Sequence, residues 1–225
     1  MNFDPGKVTV TVACAQGRVR RIAVACRRPA LAPVLCGRPA EEAVRLVPLV
    51  YALCGRAQGI AAQAALAAAR GETRAAKVDA AAWAEAAREH AWKLFVDWPA
   101  QLGLAPDQAF FARLVRAAPT EREGLAEALA RHPLTSRLPG AAAGDAPADL
   151  LVQAIRQRLA ALGDWLADRP GMAGVVTARP LAPGCGEAAA ETARGRLIHR
   201  LWLDGAIVAG YEIDAPTDRC FAPEG

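Results

Sequence analysis

The chain has 225 residues, of which 53% are hydrophobic, enough to fill a sizeable core, and its 35 glycine and proline residues (19 plus 16) are too few for a collagen-like or disordered chain. The net charge is only +4, and no block of lysine and arginine with interleaved aromatic residues occurs, so we expect no nucleic-acid binding. No stretch approaches about 18 strongly apolar residues, and Asp4 and Pro5 stand where a signal peptide would be basic and then apolar. We therefore predict a globular, cytoplasmic protein without membrane insertion.

The first predicted element is a β-hairpin over residues 7–26. Its sequence, KVTVTVACAQGRVRRIAVAC, alternates side chains on either side of Gln16-Gly17. Such alternation around a glycine-containing pair is typical of two antiparallel strands joined by a tight turn.

The middle of the chain predicts helices. Pro39 occupies a first-turn position, and Glu41 and Glu42 follow near the positive end of a helix that extends to about Cys54. The other helices are predicted over residues 56–70, 79–98, 106–117, 120–131 and 147–168. One of them carries an apolar stripe with a spacing of three or four residues, formed by Trp83, Ala87, Ala91, Leu94 and Trp98. The segment 138–148 is the best candidate for a loop or linker.

The last part of the chain predicts a second hairpin. Alternating runs flank Asp204-Gly205, a strong turn dipeptide, whereas residues 169–195 read as mostly irregular chain. Strands at both ends with helices between them predict an α+β fold, in which the two hairpins form one small sheet around a mainly helical middle. We predict one domain over 1–225, with a hairpin and loop (1–38), a helical part (39–168) and an irregular segment followed by a hairpin (169–225).

Common catalytic and metal-binding patterns do not occur in this sequence. There is no CxxC pair, no G-x-S-x-G around the single serine, Ser136, and no phosphate-binding glycine motif. The histidines His90, His132 and His199 are scattered without ligand spacing. The six cysteines are expected to be reduced and lie at positions 14, 26, 36, 54, 185 and 220.

Two segments resemble regions of NiFe-hydrogenase large subunits. The segment 35–71, LCGRPAEEAVRLVPLVYALCGRAQGIAAQAALAAARG, is similar to the first metal-binding region, where a Gly-Arg pair and a helix lead into C-G-x-C-x-x-x-H. The segment 191–225, ETARGRLIHRLWLDGAIVAGYEIDAPTDRCFAPEG, is similar to the later region with E-A-P-R-G-x-L-x-H, a D-G turn and P-T-x-W-N. The second match is the more specific one.

The resemblance implies roles for particular residues. In that family an iron with cyanide and carbon monoxide ligands lies beside nickel on four cysteine thiolates. By position, Cys54 matches the first cysteine, Arg194 the arginine that faces a cyanide, and Pro216 with Thr217 the second cyanide contact. Cyanide ligands are anionic acceptors, so a guanidinium and a hydroxyl beside them would fix the orientation of an Fe(CN)2CO group.

The sequence also departs from the family pattern. Ala57 stands in place of the second cysteine and Ala61 in place of the histidine, while Arg219 and Cys220 replace the tryptophan and asparagine after P-T. The second CxxC motif does not occur. Because nickel needs several soft thiolate ligands, we expect no nickel and no hydrogenase activity.

This pattern resembles the HupK-type hydrogenase accessory proteins, degenerate relatives of the large subunit. The resemblance implies a non-catalytic scaffold that holds Fe(CN)2CO transiently, with hydrogenase maturation proteins and the apo large subunit as partners. Cys54 would be an iron ligand, and Cys220 is a second candidate ligand. The alternative is a metal-free protein-binding module derived from a large subunit. The scaffold predicts that Cys54, Arg194 and Thr217 converge, whereas the module predicts a filled site and an exposed apolar patch.

Each candidate residue also has a purely structural interpretation. Cys54 suits a buried thiol at a helix end, because free cysteine is among the most buried residue types. Arg194 with Gly195 suits a salt bridge and a tight bend at the start of a strand, and Thr217 suits a turn after Pro216.

Overall fold

The computed structural model describes residues 7–27, 31–51, 53–72, 74–138 and 146–220. The chain gathers into two compact units, one of residues 1–77 with 176–225 and the other of residues 78–175. The mixture of helices and strands confirms the predicted α+β class. The assignment of residues 1–225 to a single domain stays a prediction.

The described strands form two separate sheets. Strands β1 (Lys7–Ala15) and β2 (Arg18–Arg27) pair with each other as an antiparallel hairpin. A five-stranded sheet has the order β3-β4-β5-β6-β7, and its strands are β3 (Arg74–Val78), β4 (Val175–Ala182), β5 (Cys185–Thr192), β6 (Gly195–Asp204) and β7 (Ile207–Asp214). From β4 to β7 each strand is antiparallel to the next.

The two hairpins do not join, so the prediction of one shared sheet is wrong. The backbone of residues 37–40 pairs with the first residues of β7. Gly37 N donates to Val208 O at 2.9 Å, and Val208 N donates to Arg38 O at 2.9 Å. Strand β6 is paired on both sides within the five-stranded sheet, and among the described strands β1 and β2 pair only with each other.

The interpretation of residues 169–195 as mostly irregular is also wrong, because β4 and β5 lie there. Strand β5 has the sequence CGEAAAET, which is poor in the β-branched and aromatic residues that favour strands. Its first six residues are buried nonetheless. A Cβ atom added at Gly186 would overlap Ala65 O and Ala69 N of helix α3 (Gly55–Ala69), so the helix backbone packs directly on the strand. Small side chains on both elements make this close approach possible.

The first unit contains three further described helices and one main apolar core. The helices are α1 (Ala32–Leu35), α2 (Ala40–Val50) and α9 (Pro216–Cys220). Helix α2 ends four residues before the predicted end near Cys54. The core packs α2 and α3 against the sheet and includes Leu35, Val44, Val47, Leu66, Ala188, Leu201, Val208 and Tyr211.

The second unit is helical and has its own core. Its helices are α4 (Ala80–Trp92), α5 (Gln108–Arg116), α6 (Arg122–Arg131), α7 (Pro133–Ser136) and α8 (Pro147–Leu166), with a π-helical turn over Lys93–Asp97. Asp79 and Asp107 cap α4 and α5 through their carboxylates. Four members of the predicted apolar stripe are buried in the core, namely Trp83, Ala87, Ala91 and Leu94.

The predicted loop over 138–148 and the prediction of no membrane insertion can be compared with the structure only over the described residues. Residues 139–145 of the predicted loop lie outside them. Among the helices that are described, none combines the length and the apolar character needed to cross a bilayer.

Candidate functional site

Cys54 lies at the N-terminus of helix α3. It is the residue before the first helical position, it is half-buried, and its carbonyl oxygen accepts the first helical hydrogen bond from Gln58 N at 3.0 Å. Its Sγ also accepts a hydrogen bond from Gln58 Nε2 at 3.8 Å. The sulfur thus lies beside the electrostatically positive end of α3.

Gln58 connects Cys54 to a buried polar chain that ends in the sheet. Its Oε1 lies 2.8 Å from Nε2 of His199 on β6, and Nδ1 of His199 lies 2.9 Å from the hydroxyl oxygen of Tyr211 on β7. Gln58 and His199 are almost completely buried, with 1% and 0% of their surface exposed, and Tyr211 is buried as well.

The direction of each hydrogen bond in this chain follows from its acceptors. An amide oxygen can only accept, so His199 Nε2 carries the proton and donates to Gln58 Oε1. His199 Nδ1 is then the acceptor for the Tyr211 hydroxyl. Burial lowers the pKa of His199 to about 3 and raises the pKa of Tyr211, which keeps the imidazole neutral and the phenol protonated near neutral pH. The donors therefore run from Tyr211 through His199 and Gln58 to the Cys54 sulfur.

Arg194 lies in the turn between β5 and β6. Its backbone N donates to Thr192 Oγ1 at 3.2 Å, and the Thr192 hydroxyl donates to Gly195 O at 2.7 Å. Gly195 has φ 119°, a conformation that side chains disfavour, so the bend expected there is present. A Cβ atom at Gly195 would lie 3.6 Å from Pro216 Cβ, which places the start of α9 beside this turn.

The segments that carry Cys54, Arg194 and Pro216 meet at one small apolar cluster. Its buried members are Ala57, Ala61, Val176, Ala190, Leu197 and Ala215. Cys54 precedes Ala57 by about one helical turn, Arg194 precedes Leu197 by three residues, and Pro216 directly follows Ala215. Thr217 is half-buried in the first turn of α9. That the Cys54, Arg194 and Thr217 side chains surround one cavity stays a prediction.

The two alanines that replace family ligands are part of this cluster. Ala57 is 2% exposed and Ala61 is completely buried. Both methyl groups pack against the sheet, so neither position offers a polar atom to a bound metal.

The remaining cysteines lie in varied surroundings. Cys220 is the last residue of α9, and its side chain lies outside the described residues. Cys185 lies in the segment predicted to be irregular, but it is buried in β5, and this burial raises the pKa of its thiol. Within the described ranges, no group of three or more histidine, cysteine, aspartate or glutamate side chains is arranged to hold a metal ion.

A ladder of alternating charges crosses four strands of the five-stranded sheet. Arg179 Nη2 lies 2.8 Å from Glu187 Oε1, Arg200 Nε lies 2.7 Å from Glu187 Oε2, and Arg200 Nη1 lies 3.1 Å from Glu212 Oε1. Burial alone would raise the pKa of Glu187, but the hydrogen bonds from Arg200 and Arg179 outweigh it, and the pKa lies below its usual value. The ladder ties β5, which has little β propensity of its own, to the strands on both sides.

Sequence reasoning missed the polar chain behind Cys54. A usable signal was present, because Leu197, His199 and Leu201 alternate along β6 and therefore share its buried face. A histidine between two core leucines has to find hydrogen-bond partners inside the protein. Nothing in the sequence identified Gln58 as one of them.

Comparison with known proteins gives two relatives, whereas no family model matches the chain. The chain is 40% identical over 93 residues to the hydrogenase expression/formation protein HoxV of Cupriavidus necator, and 40% identical over 91 residues to the hydrogenase expression/formation protein HupK of Rhodobacter capsulatus. Each match covers 39% of this chain, and 24% of HoxV or 28% of HupK. The chain thus spans about a quarter of the length of these curated relatives. The resemblance to HupK-type accessory proteins is confirmed.

Proposed function

We propose that the protein is a non-catalytic accessory protein in NiFe-hydrogenase maturation that holds the Fe(CN)2CO group before its transfer to the large subunit. The two relatives are named as hydrogenase expression/formation proteins, which supports a role in hydrogenase maturation. The observation that carries the finer proposal is the position of Cys54, whose sulfur is held by a buried polar chain beside the cluster where the Arg194 and Pro216 segments meet. The proposed partners are the maturation proteins that deliver the group and the apo large subunit that receives it.

The chemistry of the proposed site requires weak retention of the cargo. The Cys54 thiolate would bind iron, while the Arg194 guanidinium and the Thr217 hydroxyl would donate to the cyanide nitrogens. The hydrogen bond from Gln58 Nε2 removes electron density from the sulfur and so weakens its bond to iron. Ala57 and Ala61 contribute no ligand, and this suits a carrier that has to release what it holds.

Infrared spectroscopy tests this proposal directly. The protein is purified anaerobically from a host that carries the hydrogenase maturation genes, and we expect cyanide and carbonyl stretching bands. Cys54→Ala should abolish the bands. Cys36→Ala, which removes another half-buried thiol of the same unit, should leave them unchanged.

A blank spectrum from folded protein would overturn the carrier proposal. It would favour the second candidate, a metal-free protein-binding module. The specific observation in favour of that candidate is the exposed apolar face of the N-terminal hairpin, where Val10, Val12 and Ile22 are 54%, 49% and 61% exposed.

A further inference from the structure

The side-chain amide of Gln58 has two chemically different ends, and its surroundings decide which end meets the Cys54 sulfur. The oxygen of a primary amide accepts hydrogen bonds, whereas its nitrogen donates them. Gln58 is almost completely buried, with Oε1 2.8 Å from His199 Nε2 and its own Nε2 3.8 Å from the Cys54 sulfur. A rotation of the amide by half a turn would exchange these two atoms and present an oxygen to the sulfur.

His199 opposes that rotation through the proton on its Nε2. In the rotated amide, the NH2 group of Gln58 would face the N–H of His199, so two donors would meet in a space closed to water. The amide oxygen would at the same time face the Cys54 sulfur, which as a thiolate can only accept. Neither mismatch is present in the orientation that the structure has.

Tyr211 determines which nitrogen of His199 carries the proton. Among the described residues, His199 Nδ1 is the acceptor that the Tyr211 hydroxyl contacts, at a distance of 2.9 Å. A proton on Nδ1 would leave the hydrogen of this buried hydroxyl without an acceptor. It would also turn Nε2 into an acceptor, which suits the rotated amide of Gln58. The phenol therefore fixes the tautomer on which the amide orientation depends.

We propose that His199 is a positioning residue of the Cys54 site, which together with Tyr211 holds the Gln58 amide with its NH2 group toward the sulfur. The inference rests on the proposed function, in which this sulfur is the iron ligand. A donor held at the sulfur draws electron density from it in every molecule, so the iron–sulfur bond has one defined strength. A freely rotating amide would instead give two populations of sulfur, one facing a donor and one facing an oxygen.

Alkylation of Cys54 in the metal-free chain tests the inference without iron. Iodoacetamide is applied at about pH 10, above the ordinary pKa of a thiol of about 8.5, so that the rate reports the nucleophilicity of the thiolate. Mass spectrometry follows the peptide that contains Cys54. The polar chain persists at this pH, because burial raises the pKa of Tyr211 and keeps His199 neutral.

A set of four variants separates a positioning role from a merely structural one. A hydrogen bond that makes a thiolate tenfold less basic lowers its nucleophilicity about threefold, so Gln58→Met should raise the Cys54 rate by about that factor. His199→Leu should raise the rate equally, and the double variant should match Gln58→Met alone, because His199 acts through Gln58. His199→Gln, whose amide can still donate to Gln58 Oε1, should leave the rate unchanged. Cys36, a half-buried thiol of the same unit, is the internal control and should react equally in all variants.

Several results would overturn the inference. They are an unchanged rate in Gln58→Met or His199→Leu, an additive effect in the double variant, a rate in His199→Gln as high as in His199→Leu, and a parallel change at Cys36. If His199→Leu does not fold, 15N NMR of the imidazole in the unsubstituted chain decides, because a proton on Nδ1 instead of Nε2 would overturn the inference. A blank infrared spectrum in the iron experiment would overturn the carrier proposal and leave these rates unchanged, so the two failures are distinguishable.

Discussion

The hairpin β1–β2 and the strand β5 invert the usual relation between side-chain size and burial. The hairpin is built from valine and isoleucine and is largely exposed, whereas β5 is built from alanine and glycine and is buried along its first six residues. For these two segments, burial follows how closely another backbone approaches and not the hydrophobicity of the side chains. Where α3 packs directly on the sheet, only small residues fit, whereas no such approach restricts the side chains of the hairpin.

The strongest test of this contrast is a larger side chain at the buried glycine of β5. Gly186→Val should destabilise the protein by about 4 kcal/mol or more, because even the first carbon of the side chain overlaps the backbone of α3. Urea denaturation measures the free energy of unfolding. Gly124→Ala, at a helical position with nothing within 4 Å, is the control and should cost nothing. A small loss for Gly186→Val would contradict the direct packing of helix on strand.

Acid should lower the free energy of unfolding because His199 is buried in its neutral form. Its native pKa of about 3 lies below the ordinary value of 6.5, so the unfolded chain binds more protons between these pH values, and stability falls as the pH drops from 6.5 toward 3. At pH 5 this group alone should cost about 2 kcal/mol relative to pH 7. His199→Gln should lower stability at pH 7 and flatten its pH dependence. If the stability of His199→Gln fell with pH between 7 and 5 as steeply as that of the unchanged protein, a buried neutral imidazole would be contradicted.

The charge ladder gives a smaller effect in the same sheet. Glu187→Gln should destabilise the protein by about 1 to 2 kcal/mol, because Arg179 and Arg200 lose a charged acceptor while both remain partly in contact with water. Thermal or urea unfolding measures the loss. Glu212→Gln, at the exposed end of the ladder, should change stability by less than about 0.5 kcal/mol.

The smallest effect is expected on the hairpin. Val10→Thr with Ile22→Thr should change the free energy of unfolding by no more than about 0.5 kcal/mol, because both side chains are more than half exposed. Urea denaturation, as used for Gly186→Val, measures the free energy of unfolding of this variant. A loss of several kcal/mol for this variant would mean that Val10 and Ile22 are buried within the folded chain.

Periodicity predicted the parts of the fold in which one face is apolar and the other polar. The hairpin around Gln16-Gly17, the stripe of α4 and the C-terminal hairpin all follow this rule. Strand β5 was not predicted because apolar and polar side chains do not alternate along its six buried residues. Its small residues instead suit the close packing against α3. The separation of the two sheets was not predicted either, because side-chain alternation does not tell which hairpins pair with each other.

The candidate site was predictable to the level of segments. The resemblance singled out Cys54, Arg194 and Pro216, and the segments that carry them meet at one cluster. The partners of Cys54 were not predictable, because a pairing such as Gln58 with His199 joins residues 141 positions apart. Only the packing of α3 across β6 brings these two side chains together.

Direct backbone packing also limits how the site can move. Helix α3 lies against Gly186 on the sheet side, and its first turn lies against α2, where a Cβ at Gly55 would be 2.9 Å from Pro48 O. Rotation or translation of this helix would bring larger groups into these two close backbone contacts. The same packing therefore fixes the position of the Cys54 backbone, which directly precedes the first residue of this helix.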